Sequence, residues 1–204
     1  FAVGVHGGRL RAVAGEMQID KVAVLHAAFQ IGKGLTDGGK GGRGGAVDPV
    51  GQNRDVLRLE RRAGGGGQKA LHEVNVIGRA AQGKGPIKSP GISVKLSAIH
   101  PRYEFTHTAR VLAEIPPKLK ALCLLAKEYD IGLTVDAEES ERLDLSLDII
   151  EAVFSDPDLG DWSGFGLAVQ AYQKRAIHVI DWLHDLTLKV GRKLMVRLVK
   201  GAYW

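Results

Sequence analysis

From Gly91 onward, two hydrophobic rhythms alternate along the chain. "ISVKLSA" (92–98) places apolar residues at every second position and is rich in β-branched side chains, which predicts a half-buried strand. A helical stretch follows through "LKALCLLAKEYD", and "IGLTVDA" returns to period two. "ERLDLSLDIIEAVF" spaces Leu143, Leu147, Ile150 and Phe154 as one face of a helix. "GFGLAVQA" then predicts a strand, "RAIHVIDWLHDLTLKVG" a helix and "KLMVRLVKGAY" a fourth strand. Pro116 and Pro117 each lack the N–H that a helix interior uses, so the first helix is expected to start near Pro117. Strands that alternate with helices across short connections predict parallel pairing and right-handed crossovers. Four such units without a glycine-rich phosphate turn fit an α/β fold, a partial (β/α)8 TIM-like barrel, better than a complete dinucleotide-binding sheet.

The residues before this region follow another pattern. Residues 1–82 hold 18 of the 27 glycines, including "GGKGGRGG" and "AGGGGQK", and show only short periodic pieces such as "KVAVLHAAF". They carry 12 Lys/Arg against 7 Asp/Glu, whereas residues 83–204 carry 16 of each, so the formal charge of +5 belongs to the first part. So little apolar surface does not offset the entropy of ordering so many glycines. Residues 1–70 are therefore expected to be a disordered, basic, Gly-rich segment or the product of a misread frame, and 71–204 half of a barrel. "GKGGRG" from Gly39 to Gly44 has the spacing G-x-G-x-x-G but lacks the strand before and helix after that a pyrophosphate site needs. An RNA contact by this basic tract would want interleaved aromatics, which are missing, so nucleic acid is not an expected partner.

Composition narrows the setting. "ALCLLA" is the longest apolar stretch, well short of the roughly 20 residues that cross a bilayer, and a cytoplasmic location is expected. Cys123 is the single cysteine; its apolar surroundings make it a core residue, not a reactive thiol. The first residue is Phe1 and the last eight, "RLVKGAYW", read as a buried strand, so the chain is expected to be a truncated piece of a longer protein.

Parity assigns the candidate chemistry. Ile92, Val94 and Leu96 face the helices while Ser93, Lys95 and Ser97 face inward. Leu133 and Val135 alternate with Thr134 and Asp136, Leu167 and Val169 with Ala168 and Gln170, and Val196 and Leu198 with Arg197, Val199 and Tyr203. Each strand thus offers one inward polar group near its C-terminal end: Lys95, Asp136, Gln170 and Arg197. That is the end where barrel enzymes hold their chemistry, and two cations with an anion inside a barrel mouth are costly unless used. Structural ion pairing among the four is the competing reading. His100 and Arg102 follow the strand in a loop and are assigned structural roles. Glu138 and Glu139 would point opposite ways on a continued strand, so they form no acid–base pair. No metal site is assigned.

Four motifs, "SPGISVKLSAIHPRYE", "DAEESERLDLSLD", "GLAVQAYQKRA" and "RLVKGAYW", resemble in order and spacing those of the proline dehydrogenase family, in particular the proline dehydrogenase domain of bacterial bifunctional proline utilization A enzymes. The resemblance covers about residues 71–204. It implies a distorted (β/α)8 barrel that binds FAD and oxidises L-proline to Δ1-pyrroline-5-carboxylate, with electrons passed to a membrane quinone. By the resemblance, Lys95 pairs with the proline carboxylate and Asp136 orients the cations around it. Gln170 contacts the flavin ring, Arg197 lies beside the flavin's reactive nitrogen, Val199, Gly201 and Ala202 lie along the flavin, and Tyr203 lines the proline pocket. It further implies a homo-oligomeric, bifunctional parent with an NAD-dependent aldehyde dehydrogenase module and peripheral membrane association. The isolated piece is expected to be inactive. Two other functions remain open at this level: a different flavin-dependent barrel enzyme, and a non-enzymatic nucleic-acid-binding protein that uses the basic segment.

Overall fold

The computed structural model describes residues 65–81 and 83–201. The expectations for the Gly39–Gly44 motif, for disorder or a misread frame over residues 1–70 as far as residue 64, and for Ala202 and Tyr203 lie outside the described residues.

Within them, helix α1 (Gly65–Ala81) precedes strand β1 (Ile92–Val94) and a single helical turn, α2 (Leu96–Ile99). Then follow α3 (Thr108–Glu128), β2 (Leu133–Val135), α4 (Leu143–Phe154), β3 (Phe165–Gln170), α5 (Ala176–Val190) and β4 (Met195–Val199). The four strands form one parallel sheet in sequential order, β1-β2-β3-β4. This is the α/β arrangement of alternating units expected from the periodicity.

α3 does not wait for the prolines. It begins at Thr108 and runs through Pro116 and Pro117, contrary to the start expected near Pro117. The reason lies in which face is buried: Val111, Ile115, Leu119, Leu122 and Ala126 line the core, while Pro117 is exposed and Pro116 half-buried. The carbonyls that lose a donor, those of Leu112 and Ala113, belong to a half-buried and an exposed residue, where water can replace the missing bond. Burying a side chain such as Leu119 or Leu122 contributes about 1.5–3 kcal/mol, and several of them outweigh two interior prolines.

α1 straddles the boundary expected at Ala70, starting inside "AGGGGQK". Glycine serves packing here. A Cβ on Gly66 would overlap the backbone carbonyl of Ala98, and one on Gly78 would sit 2.2 Å from the Tyr129 ring. The Tyr129 hydroxyl donates to Asn75 Oδ1 (2.9 Å), whose amide nitrogen donates to Leu71 O (3.0 Å), so the close approach carries polar contacts of its own.

The core lies between sheet and helices. Ile92, Val94, Leu133, Val135, Phe165, Leu167 and Val169 project from the strands onto Leu119, Leu122, Ile149, Ile150, Val179 and Leu183. Cys123 is fully buried among them, as its apolar surroundings predicted. In α4 the most buried residues are Leu145, Ile149, Ile150, Val153 and Phe154, with Leu143 and Leu147 at the edge of the buried face. Phe154 stacks on Phe165 with ring centroids 6.0 Å apart. Arg192 closes that end of the sheet: it covers the Phe154 ring and donates to the carbonyl oxygens of Phe154 (2.6 Å), Asp156 (3.2 Å) and Gly160 (2.5 Å), the first an acceptor that the end of α4 leaves open and the others in the loop after it.

Candidate active site

β1 is shorter than its pattern suggested. The strand stops at Val94, and Lys95 is the extended residue that leads into α2, so Ser97 lies in a helical turn instead of on the strand's inner face. Leu96 stays buried, because the turn folds it back under the sheet. The remaining parity assignments hold. Ile92, Val94, Leu133, Val135, Leu167 and Val169 are buried on the helix side, and Ser93, Thr134, Ala168 and Gln170 share the other face. β4 departs in degree: Val196 is half-buried and Leu198 is 57% exposed, because no described helix covers that side of the strand.

Register places the candidate residues in rows. Ser93 pairs with Thr134, Thr134 with Gly166 and Gly166 with Met195. Two residues on, Ala168 pairs with Arg197, and Lys95 and Asp136 extend the same row one residue past the last paired positions of their strands. Gln170 pairs with Val199 one step higher.

Arg197 ties the rows together. Its Nη1 donates to Ser93 Oγ (2.9 Å) and its Nη2 forms an ion pair and hydrogen bond with Asp136 Oδ1. In a flat sheet β1 and β4 would stand three strand spacings apart, about 14 Å, beyond the reach of one arginine side chain. The contact therefore requires the sheet to curl about its inner face, as barrel strands do. It also requires β3 to be low where the guanidinium crosses, and β3 supplies Gly166 and Ala168 there. A Cβ on Gly166 would lie 2.5 Å from the carbonyl oxygen of Met195, so this position admits no side chain at the present strand spacing.

The structure thus brings Arg197, Asp136 and Ser93 into direct contact, with Lys95 at the end of the same row. Ser93 was read from parity only as inward-facing; its hydroxyl proves to accept from the guanidinium, a role that depends on curvature across four strands and left no local trace. Gln170 is buried and donates from Nε2 to the carbonyl of Glu138 (2.8 Å), which fixes its amide. Gly201 has φ +103°, a backbone open to glycine and strained for other residues, and a Cβ there would come within 2.3 Å of the Tyr172 ring and 2.9 Å of Gln170 Oε1. Val199 is half-buried on the same side.

Two loop assignments can be compared with their geometry. His100 is buried and works structurally: Nδ1 accepts from the Arg102 N–H (3.1 Å), which leaves Nε2 to donate to Glu114 (2.9 Å). Arg102 is exposed, with its backbone N–H used in that contact. Glu138 and Glu139 do not diverge as expected, because the strand ends at Val135 and the backbone turns: Arg142 Nη1 lies 3.7 Å from Glu138 and 3.1 Å from Glu139. They remain unsuited to acid–base work, since both carboxylates engage one guanidinium. Arg142 in turn covers the Tyr103 ring at 5.3 Å, and burial pushes the Tyr103 phenol upward. A narrow cleft bordered by Tyr103, Leu143, Ser146 and Val179 also reaches Asp136, Glu138 and Gln170 at the C-terminal ends of β2 and β3.

These features define a parallel βα-barrel segment with a cation-bearing inner face at its C-terminal end. The proline dehydrogenase family model matches residues 56–204, beginning upstream of the motifs that carry the resemblance, and the chain belongs to this family. It is 53% identical over 137 residues to the bifunctional protein PutA of Escherichia coli, an alignment that takes in 67% of this chain and 10% of that protein. With proline dehydrogenase 1 of Bacillus subtilis it shares 33% identity over 85 residues, 42% of this chain and 24% of the relative. A crystal structure of a proline utilization A mutant from Bradyrhizobium japonicum superposes with a TM-score of 0.67 at 51% identity, covering 74% of this chain and 15% of that one. The chain spans about a tenth of the length of the PutA relative from Escherichia coli. The family is flavin-dependent and its substrate is proline. No helix among the described residues is long and apolar enough to cross a membrane.

Proposed function

We propose that this chain contributes the first four βα units of an FAD-dependent barrel that oxidises L-proline to Δ1-pyrroline-5-carboxylate. The observation that carries the reading is the Arg197 guanidinium, held across β3 by Ser93 and Asp136, in one row with Lys95. The flavin fits these residues on two counts. Arg197 Nε is buried with no hydrogen-bond partner among the described residues, a donor suited to an acceptor on a polar ring edge. Gly201 keeps backbone low beside Gln170, as a flat cofactor requires.

FAD, when bound, supplies the two-electron acceptor for the hydride on the proline ring carbon next to nitrogen. Proline would lose that hydride from the ring carbon that does not bear the carboxylate, and the proton on its nitrogen to solvent, so that a C=N bond forms between the two atoms. Lys95 binds the substrate carboxylate, since an anion that enters an enclosed mouth needs a charge partner. Arg197 stabilises negative charge as it develops on the acceptor, and Asp136 and Ser93 hold the guanidinium in place so that no reorganisation is needed during the reaction. Gln170, Val199, Gly201 and Ala202 bind the flavin, and Tyr203 lines the proline side. In the longer protein a quinone takes the electrons, the product passes to an NAD-dependent aldehyde dehydrogenase module, and subunits associate.

Rapid-reaction measurement of flavin reduction over a range of proline concentrations tests this in the full-length holoenzyme. Arg197→Met is expected to lower the limiting rate about 100- to 1000-fold, the usual loss when one charge-stabilising donor is removed. Lys95→Met should raise the proline concentration for half-maximal reduction with a smaller effect on the limiting rate. A near-normal limiting rate in Arg197→Met would refute its assignment, and an FAD-loaded protein that proline does not reduce would refute the function.

A further inference from the structure

Lys95 is bracketed by two hydrogen bonds to the segment that follows β2. On one side, the Asp136 N–H donates to Val94 O (2.9 Å), the last bond of that ladder. On the other, the Ser97 N–H donates to Glu138 Oε1 (3.0 Å). Between them Lys95 is extended, with φ −87° and ψ 132°, and offers no side-chain cap to the turn that begins at Leu96. The second bond ties the turn just after Lys95 to the segment that follows β2, and so helps to keep the root of the Lys95 side chain with the sheet. The Glu138 side chain is 8% exposed, and Arg142 supplies its counter-charge. The same residue also reaches the flavin end, because its carbonyl accepts from Gln170 Nε2 (2.8 Å).

We infer that Glu138 is a positioning residue that fixes Lys95 at the height of the Asp136–Arg197 row and so sets affinity for the substrate carboxylate. The inference rests on the proposed role of Lys95. It assigns to the side chain a job that conservative replacement can separate from charge: glutamine still offers an oxygen to the Ser97 N–H, and alanine offers nothing.

The test uses the full-length holoenzyme with Glu138→Ala, Glu138→Gln, and Glu138→Ala combined with Lys95→Met. Loss of one charge-assisted bond predicts that Glu138→Ala raises the proline concentration for half-maximal flavin reduction about tenfold, with the limiting rate within about threefold of wild type. Glu138→Gln should stay within about threefold of wild type on both measures, as an amide oxygen is a weaker acceptor in the same place. In the Lys95→Met background Glu138→Ala should add less than about twofold, because the two act on one contact. Hydrogen exchange in peptides spanning residues 95–100 gives a readout apart from turnover, faster in the alanine variant and close to wild type in the glutamine one. An equal alanine effect with or without Lys95, a loss confined to the limiting rate, or a glutamine variant as impaired as the alanine one would each overturn the inference. A wild-type holoenzyme that proline does not reduce overturns the proposed reaction instead, and the exchange result still reports whether Glu138 holds the turn.

Discussion

Gly166 shows how one missing side chain sets the chemistry of its neighbours. It lies between Thr134 and Met195 on the face that Arg197 crosses, and with Ala168 it keeps β3 low enough for a guanidinium anchored on β4 to reach β2 and β1. Its glycine identity follows from space: a Cβ would meet Met195 backbone oxygen at 2.5 Å and Met195 Cβ at 2.8 Å. Backbone atoms cannot swing away as a flexible side-chain tip can, so Gly166→Ala must push β4 off β3. Overpacking of this kind costs about 1–3 kcal/mol. The variant should therefore unfold at lower denaturant concentration despite alanine's lower chain entropy when unfolded. An unchanged or higher midpoint would mean that the strands part at no cost. Sequence periodicity could not reveal this role, since in "GFGLAVQ" Gly166 occupies an ordinary alternate position and its meaning depends on a strand almost thirty residues later.

Among the elements, the strands were easier to read than the helix boundaries. Period-two alternation identified all four strands and, for β1 to β3, the face turned to the helices, because a one-residue slip would expose every apolar residue at once. β1 came out shorter than its alternation because Leu96 keeps its buried place by folding into a turn, a solution the pattern alone does not distinguish from a longer strand. Local propensity misled in α3 and α1, where tertiary packing overrides it: a buried stripe carries Pro116 and Pro117 through one helix, and close contact with Ala98 and Tyr129 gives the glycines of the other a use. The prolines then sit in α3 at a local cost. Pro117→Ala restores a donor for the Ala113 carbonyl and removes an exposed ring, so stability should rise by about 1–3 kcal/mol, less whatever rigidity proline gives the unfolded chain. Chemical denaturation of the two proteins decides it, and a loss of stability would show that the ring packs more than its exposure implies.

At the scale of the whole molecule, buried and paired groups define the pH range over which the fold holds. On the acid side, hydrogen bonds from His100 and Arg110 hold the Glu114 carboxyl below its ordinary 4.5. For Asp156 burial acts upward, but the hydrogen bonds from Lys120 and the Asp158 N–H prevail and hold it below 3.8. Both are depressed acids, so their contribution is complete above those ordinary values and fades as pH falls through the lower folded ones. On the alkaline side the sign reverses. Burial pushes the Cys123 thiol far above its ordinary 9.0 and the Tyr103 phenol above 10.0. In the unfolded chain these groups release protons that the folded protein keeps, so stability is complete below the ordinary values and falls as pH rises past them. Cys123 loses its share first, and the pocket that makes it an inert core residue also makes it the alkaline weak point. Cys123→Ala should therefore lower stability at pH 7 through the small cavity it leaves, yet flatten the alkaline limb. Between pH 9 and 10 the wild type should lose about 1 kcal/mol more than the variant, the work of withholding one thiol proton over that interval. Denaturant unfolding of both proteins at several pH values, with reductant present, measures the difference. Parallel alkaline limbs would mean that the thiol reaches water well before the fold opens.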